Sequence, residues 1–282
     1  MNKKVKKSLQ SMQAGMPRPA PMSPMPPFRV FRVGQVASVL DSAREPGYAG
    51  ALVPFASLLA ESQTAGRGQR RRCWASPAGN VYGALRLPME APFLGTEAAV
   101  AASCGVCLGL ASLGYEPRLK WPNDVAVLAQ GRFGKVCGTL LEERGDVLLA
   151  GIGVNVASCP ERGVLRERTA LPACSLAQAL PGRPLPELGA VWEAIVNGIY
   201  AVYTDKADEC GGWLALANRL LLWRGRAVEL EDGPSSVAGR LSGIGPAGEI
   251  VVEQDGRQIR RLSGSLAPAR GSQEEGTDSG EG

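Results

Sequence analysis

Residues 120–125 read Lys120-Trp121-Pro122-Asn123-Asp124-Val125, which sets a base, an amide and a carboxylate side by side. Proline has no N–H and restricts the residue before it, so this hexapeptide cannot lie inside a regular helix. Its polar groups belong at a strand-to-loop transition, where side chains can point into a cleft. An Asn-Asp pair in a turn is ordinarily just solvated, but two further segments argue for chemistry. Upstream, Gln63-Thr64-Ala65-Gly66-Arg67-Gly68-Gln69-Arg70-Arg71-Arg72-Cys73-Trp74 sets a run of cations behind two glycines. Glycines let backbone N–H groups approach a ligand closely. Consecutive arginines repel one another unless an anion neutralises them, and a phosphate, which a guanidinium grips through paired donors, is the natural partner. The bland alternative is a solvated basic loop. Downstream, Gly134-Lys135-Val136-Cys137-Gly138 presents a compact ammonium suited to a carboxylate or an α-phosphate, and Gly151-Ile152-Gly153-Val154-Asn155-Val156 follows it.

The chain has no histidine. Ser-His and Cys-His nucleophiles are thereby excluded, as are histidine-bearing metal sites. What remains for catalysis is lysine, arginine, aspartate, backbone amides and Mg²⁺. Seven cysteines make an odd number without an export signal, which favours free thiols over a disulfide framework. Cys104 and Cys107 sit in a run of small apolar residues, three apart on one helix face, and with no second pair they read as core packing.

Hydrophobic content of 45% and charged content of 21% are those of a soluble globular protein. Part of the +4 net charge belongs to the tails. Residues 1–27 carry Lys3, Lys4, Lys6, Lys7 and Arg18 with no acid, whereas residues 271–282 carry Glu274, Glu275, Asp278 and Glu281 with no base. The body between them is too mildly basic to indicate nucleic-acid binding. Both tails read as disordered. No stretch suits a signal peptide or a membrane span, so a cytoplasmic protein is expected.

The elements that must position these residues can be read from pattern. Residues 30–43 should hold a strand or turn and the start of a helix. Residues 52–59 fit a strand leading into the glycine-arginine segment, and residues 81–87 another. Residues 95–113 form a small-residue helix stopped by Gly114. Residues 118–121 make a short strand, and residues 134–142 and 146–156 pair about a turn at 143–146. Leu188, Val191, Trp192, Ile195 and Ile199 form one apolar helical stripe, and a second helix covers residues 213–222. After Trp223, short strand-like pieces separated by Asp232-Gly233-Pro234, Gly245-Pro246-Ala247-Gly248 and Asp255-Gly256 suggest a small barrel.

The four chemical segments, in this order and at these separations, resemble the catalytic module of bacterial biotin protein ligases, over residues 28–268. The resemblance implies an α+β fold: a mixed sheet with helices packed on one side, class II synthetase-like, followed by a small SH3-like β-barrel. It divides the chain into an N-terminal tail (1–27), an adenylating domain (28–222), an SH3-like domain (223–268) and an acidic tail (269–282). No helix-turn-helix pattern precedes the module, so no DNA partner is expected. The activity implied is ATP-dependent activation of biotin as biotinyl-5′-AMP, then transfer to a lysine of a biotin carboxyl carrier domain of a carboxylase. Lys135 takes the family's catalytic lysine position, with Arg67, Lys120 and Asp124 as its catalytic companions. Binding of biotin and the adenylate falls to Gln63, Gly66, Arg67, Gly68, Gln69, Arg70, Arg72, Trp74, Asn123, Lys135, Gly138 and Asn155. Mg²⁺ would arrive with ATP, Asp124 being the candidate carboxylate, and no protein-only metal site is expected. The protein would be a monomer or a homodimer, the latter by pairing of an edge such as residues 151–156.

Two departures from the family stand out. Its loop usually reads Gly-Arg-Gly-Arg-x-Gly-Arg, whereas Gln69 replaces the second arginine here and Arg71 the later glycine. A neutral amide cannot supply a guanidinium's charge-assisted contacts, so adenylate retention should loosen unless Arg71 compensates. The family's Ser-Thr-Asn triplet, which bonds the biotin head group, is matched only by Gly34-Gln35-Val36-Ala37-Ser38, where Gln35 or Ser38 could substitute. Two other readings therefore compete. One is a ligase for another cofactor acid such as lipoate, the other a catalytically weak module that binds biotin or nucleotide.

Overall fold

The computed structural model describes residues 28–69, 72–160, 171–204 and 212–269. The expectations for residues 1–27, for Arg70 and Arg71, and for the acidic tail beyond Ala269 lie outside the described residues. Seven strands form one sheet: β1 (Val30–Val36), β2 (Ser57–Gln63), β3 (Val81–Leu87), β4 (Pro117–Lys120), β5 (Asp124–Ala129), β6 (Arg132–Arg144) and β7 (Val147–Val154). Their order is β1-β2-β3-β7-β6-β5-β4, with β1 and β2 parallel and every other neighbour antiparallel. The expected mixed sheet is therefore present. β7 lies inside it, between β3 and β6, so residues 151–154 are no free edge for pairing with a second copy.

Strand alternation divides the sheet into two unlike faces. Along β7, Leu148, Ala150, Ile152 and Val154 join the larger core, while Leu149 joins the smaller one. The larger core is covered by three helices. The described residues hold six helices: α1 (Val39–Ser42), α2 (Pro46–Ala49), α3 (Ala98–Ser112), α4 (Leu176–Ala179), α5 (Leu188–Thr204) and α6 (Gly212–Leu220). α3, α5 and α6 pack on the larger core as expected. α1 packs on the opposite face, through Val39 and Leu40 against Leu58, Ala60 and Ala84. That opposite face is the one left open enough to hold a cleft.

The strand expected over residues 52–59 begins only at Ser57. Pro54 and a left-handed Phe55, at φ 66°, interrupt the apolar run. Two strands, β5 and the last of the chain (Ser265–Pro268), lie outside the sequence expectations. β5 follows the Asn-Asp turn at once, so turn chemistry concealed its start.

α3 and α5 cross with their backbones almost touching. A Cβ at Gly109 would stand 2.5 Å from the Ala194 carbonyl, and one at Gly198 would strike the backbone of Gly105. This accounts for the run of small residues, and Cys104 and Cys107 are fully buried within it.

The C-terminal strands β8 (Ala227–Asp232), β9 (Ser235–Ile244), β10 (Ile250–Gln254), β11 (Arg257–Arg261) and β12 (Ser265–Pro268) form a second, antiparallel sheet ordered β11-β10-β9-β8-β12. It fits the expected SH3-like unit. The turn before β10 is held by Glu249, whose carboxylate accepts from the Ala247 N–H at 2.9 Å and from Arg260 at 2.6 Å. Those bonds, with the backbone N–H of its own turn, keep the Glu249 carboxyl below its usual range against the opposing effect of burial. The same turn docks on the first sheet: Thr96 Oγ1 donates to the Ala247 carbonyl at 2.6 Å and Trp121 Nε1 to the Gly248 carbonyl at 2.8 Å.

Because neither backbone at the α3–α5 crossing can yield, Gly198→Ala should destabilise the protein by about 1–3 kcal/mol in denaturant unfolding. Gly34→Ala, whose new methyl group would meet nothing within 4 Å, serves as the neutral control.

Candidate active site

The hexapeptide closes the β4–β5 hairpin. Lys120, the last residue of β4, lies opposite Asp124, the first of β5, and residues 121–123 make the turn. Asn123 fixes that turn to β6: its side-chain amide donates to the Thr139 carbonyl at 2.7 Å, and its own carbonyl accepts from the Thr139 N–H at 2.9 Å. Trp121 is fully buried beneath it.

β6 brings in the second lysine by a bulge. Val125 pairs with Cys137 and Ala126 with Lys135, leaving Val136 unmatched. An extra residue reverses the alternation of side chains. Lys135 and Gly138, which a regular strand would point to opposite faces, therefore share one, and a Cβ on Gly138 would stand 3.3 Å from Lys135 Nζ. Lys135 Nζ pairs with Asp124 Oδ1 at 2.6 Å, while Lys120 Nζ lies 3.9 Å from Asp124 Oδ2. Two ammonium groups thus converge on a single carboxylate. Lys120 is 5% exposed. Burial lowers its pKa from the usual 10.5, Asp124 works the other way, and Lys135 and Arg72 add to the lowering.

Trp74 forms the opposite wall. Its ring lies across Gly153 and Gly138, where added Cβ atoms would come within 2.6 and 2.9 Å of it, and Lys135 Nζ stands 5.1 Å from the ring centroid. At the far end Leu40 covers Gly151, where a Cβ would meet its side chain at 2.7 Å. Gln63 ties this end together: its Oε1 accepts from the Val39 N–H at 2.8 Å and its Nε2 donates to Ser76 Oγ at 2.8 Å. Asn155, buried at the end of β7, donates to the Cys174 carbonyl at 3.1 Å.

Gln63, Arg67, Gly68, Gln69, Arg72, Trp74, Lys120, Asn123, Asp124, Lys135, Gly138 and Asn155 all line this one cleft. Gly66 does not; it lies buried behind the loop, where a Cβ would stand 2.5 Å from the Trp74 carbonyl. Arg70 is outside the described residues. Ser38 lines the cleft, whereas Gln35 points instead to Ser62 at 3.3 Å. Arg67 is not free for an anion as expected: its guanidinium is bound by Asp41 at 2.6 Å and Glu142 at 3.0 Å. Sequence reasoning also missed Gly264 and Ser265, which reach the cleft from the second sheet. No local signal marks them, because they arrive through tertiary docking.

Among the described residues no cluster of three metal-binding side chains exists. The buried thiols of Cys104, Cys107 and Cys137 have strongly raised pKa values because of burial, which rules them out as nucleophiles. What the cleft can do is neutralise and orient an anion over an apolar floor.

A mixed sheet carrying such a cleft, with a small barrel docked on its catalytic turn, is the architecture of the adenylate-forming ligases that act on cofactor acids. Residues 56–157 match the biotin/lipoate A/B protein ligase family. A biotin–[acetyl-CoA-carboxylase] ligase of Paracoccus denitrificans is 34% identical over 76% of this chain and 89% of its own length. One of Mycobacterium tuberculosis is 37% identical over 78% and 82%. The biotin protein ligase of Aquifex aeolicus, solved with biotin and ATP, superposes with a TM-score of 0.70 at 24% identity, covering 86% of this chain and 99% of that one. The chain belongs to the biotin protein ligase family.

The Lys120 position carries a stability cost that can be measured. The folded protein holds this proton less firmly than the unfolded chain, so the penalty is full below the depressed folded pKa. It is relieved as pH rises through that value toward 10.5. Lys120→Met should therefore raise unfolding free energy near neutral pH by about 1 kcal/mol while abolishing adenylation. The gain should shrink with rising pH; a gain that grows toward alkaline pH would contradict this assignment.

Proposed function

We propose that this protein activates biotin with ATP to give biotinyl-5′-AMP and pyrophosphate, then transfers the biotinyl group to a lysine of a biotin carboxyl carrier domain. The observation that carries the reading is the convergence of Lys135 and Lys120 on Asp124 beside the Trp74 floor. Two ammonium groups sharing one carboxylate leave an excess positive charge in a partly desolvated cleft, and a carboxylate and an α-phosphate would absorb it. Lys135 would stabilise the charge that builds on phosphorus as the biotin carboxylate attacks and pyrophosphate leaves. Lys120 would hold the phosphate, Asn123 the turn, and Asn155 and Trp74 the nucleotide side. Gly138 and Gly153 leave room for the Trp74 indole itself to lie flat on the sheet.

In the second step the amine of the carrier lysine attacks the mixed anhydride and AMP departs, so no enzyme-bound acyl group is required. This agrees with a chain that has no histidine. Magnesium would enter on the nucleotide's phosphates, and Asp124 is the cleft carboxylate nearest to serve it. The partition into an adenylating domain (28–222) and an SH3-like domain (223–268) follows the two sheets. Among the described residues no helix is long and apolar enough to cross a membrane, and with a carboxylase as acceptor we place the reaction in the cytoplasm. Leu40, Gly151 and the flat Trp74 wall enclose a compact apolar end suited to a ring system, which favours biotin over the extended chain of lipoate.

Pyrophosphate release should depend on biotin, not lipoate, and should fall at least a hundredfold in Lys135→Ala, the loss typical of a charge that acts on the transition state. Release driven by lipoate alone would overturn the substrate; no release with either acid from folded protein would favour a binding module. Gln69→Arg should slow dissociation of the finished adenylate roughly tenfold, since it restores a charge-assisted contact at the loop tip. Stopped-flow release of the intermediate measures this directly.

A further inference from the structure

The glycine-arginine segment is a small hairpin. The Trp74 N–H donates to the Gly66 carbonyl at 2.9 Å, the Gly68 N–H to the Arg72 carbonyl at 2.7 Å, and Arg67 bridges Cys73. Between its two limbs lies a tip that includes Gln69 and Arg72, both exposed at the cleft. The Arg67 side chain leaves this hairpin to meet two carboxylates on different elements. Its Nη1 donates to Asp41 of α1 at 2.6 Å, and its Nη2 to both oxygens of Glu142 of β6 at 3.0 and 3.3 Å.

Both carboxylates sit on supported structure. α1 is fastened by Gln63 at the Val39 N–H and by Leu40 on Gly151, and Glu142 lies within the β6–β7 ladder opposite Leu149. Arg44 braces the pair, reaching Glu142 at 2.6 Å and Asp41 at 3.8 Å. The hydrogen bond that Arg67 donates to Asp41, outweighing burial, raises its pKa further, so the guanidinium stays charged. With both terminal nitrogens engaged by carboxylates, its end-on fork is already filled.

We infer that Asp41 and Glu142 are positioning residues for adenylate binding: through Arg67 they latch one limb of the hairpin to the sheet and so hold Gln69 and Arg72 at the cleft. Arg67 then acts as an anchor, and the cations that meet phosphate are Arg72, Lys120 and Lys135. This assignment rests on the proposed function for its ligand but not for its geometry. The rival arrangement is a decoy, in which the carboxylates withhold Arg67 until a phosphate draws it away. The two differ in sign. Cutting a latch loosens the loop, whereas removing a decoy frees a phosphate ligand.

The experiment compares Glu142→Gln, Asp41→Asn, Arg67→Gln and the Arg67→Gln/Glu142→Gln double variant. Two readouts are taken: dissociation of preformed biotinyl-5′-AMP, and amide exchange at Gly68 and Trp74 in the unliganded protein. A latch predicts that each single change speeds dissociation about three- to tenfold, as partly exposed ion pairs allow. Exchange at both amides should quicken, and the double variant should be no worse than Arg67→Gln. Slower dissociation or tighter ATP binding in Glu142→Gln would show a decoy and overturn the proposal. Additive effects in the double variant would overturn it as well, because Arg67 and Glu142 would then act separately. A uniform fall in thermal midpoint without change in either readout would reduce the cluster to a stabilising surface contact and also refute it. Should the wild type form no biotinyl adenylate, the proposed substrate fails, yet the exchange measurement still decides whether the latch exists.

Discussion

Everything in the cleft follows from the difficulty of keeping two ammonium groups near one carboxylate away from water. The Lys135–Asp124 contact at 2.6 Å leaves Lys120 as a second positive charge, 3.9 Å from the same aspartate and 5% exposed. Desolvation penalises such a charge more than a shared partner repays. A fold selected for stability alone would place an apolar residue there. The excess charge has a purpose once an anionic intermediate occupies the cleft, because donors fixed in advance need not reorganise as charge develops. The bulge at Val136, the hairpin register of Lys120 with Asp124, and the Asn123–Thr139 bonds all serve to hold that arrangement against its own repulsion.

The second sheet belongs to the same solution. Trp121 sits between the two charged residues of the hairpin, and its indole N–H is satisfied by Gly248 of the C-terminal turn. That turn cannot recede: Gly248, at φ 75°, would bring a Cβ within 2.7 Å of the Glu97 backbone, and Glu249 pins it from within. The strand leading into the hairpin is held as well, by the Leu222 N–H on the Leu119 carbonyl at 2.8 Å. A buried tryptophan N–H must find a partner somewhere. Here the partner lies 127 residues away, which ties the geometry of the catalytic turn to the docking of the barrel.

Local features of the sequence were the ones that could be read. Lys120, Asp124 and Lys135 are marked by the glycines and the proline beside them, and the α5 stripe from Leu188 to Ile199 is a plain helical period. β3 was found at its true bounds for a similar reason, since residues 81–87 are flanked by turn residues. What stayed hidden depends on pairing between distant segments. The bulge that turns Lys135 toward Gly138 exists only in the β5–β6 register, and β5 itself begins inside a motif that reads as a turn. Gly264 and Ser265 enter the cleft through sheet docking. Arg67 reads as a phosphate ligand because its neighbours are arginines and glycines; the carboxylates it meets in the structure stand 26 and 75 positions away.

The contrast between Arg67 and the tip residues Gln69 and Arg72 also bears on how a positively charged loop can be ordered at its base. Like charges in one short segment repel, and a loop with every arginine free would be driven into solvent whenever the cleft was empty. Neutralising one arginine with two carboxylates near the base removes part of that repulsion while the tip keeps its charge for the ligand. Trp74, held down by contact with Gly138 and Gly153, closes the other limb without any charge at all. Order at the base and charge at the tip are thus provided by different residues. The Gln69 substitution falls on the tip and leaves the base intact.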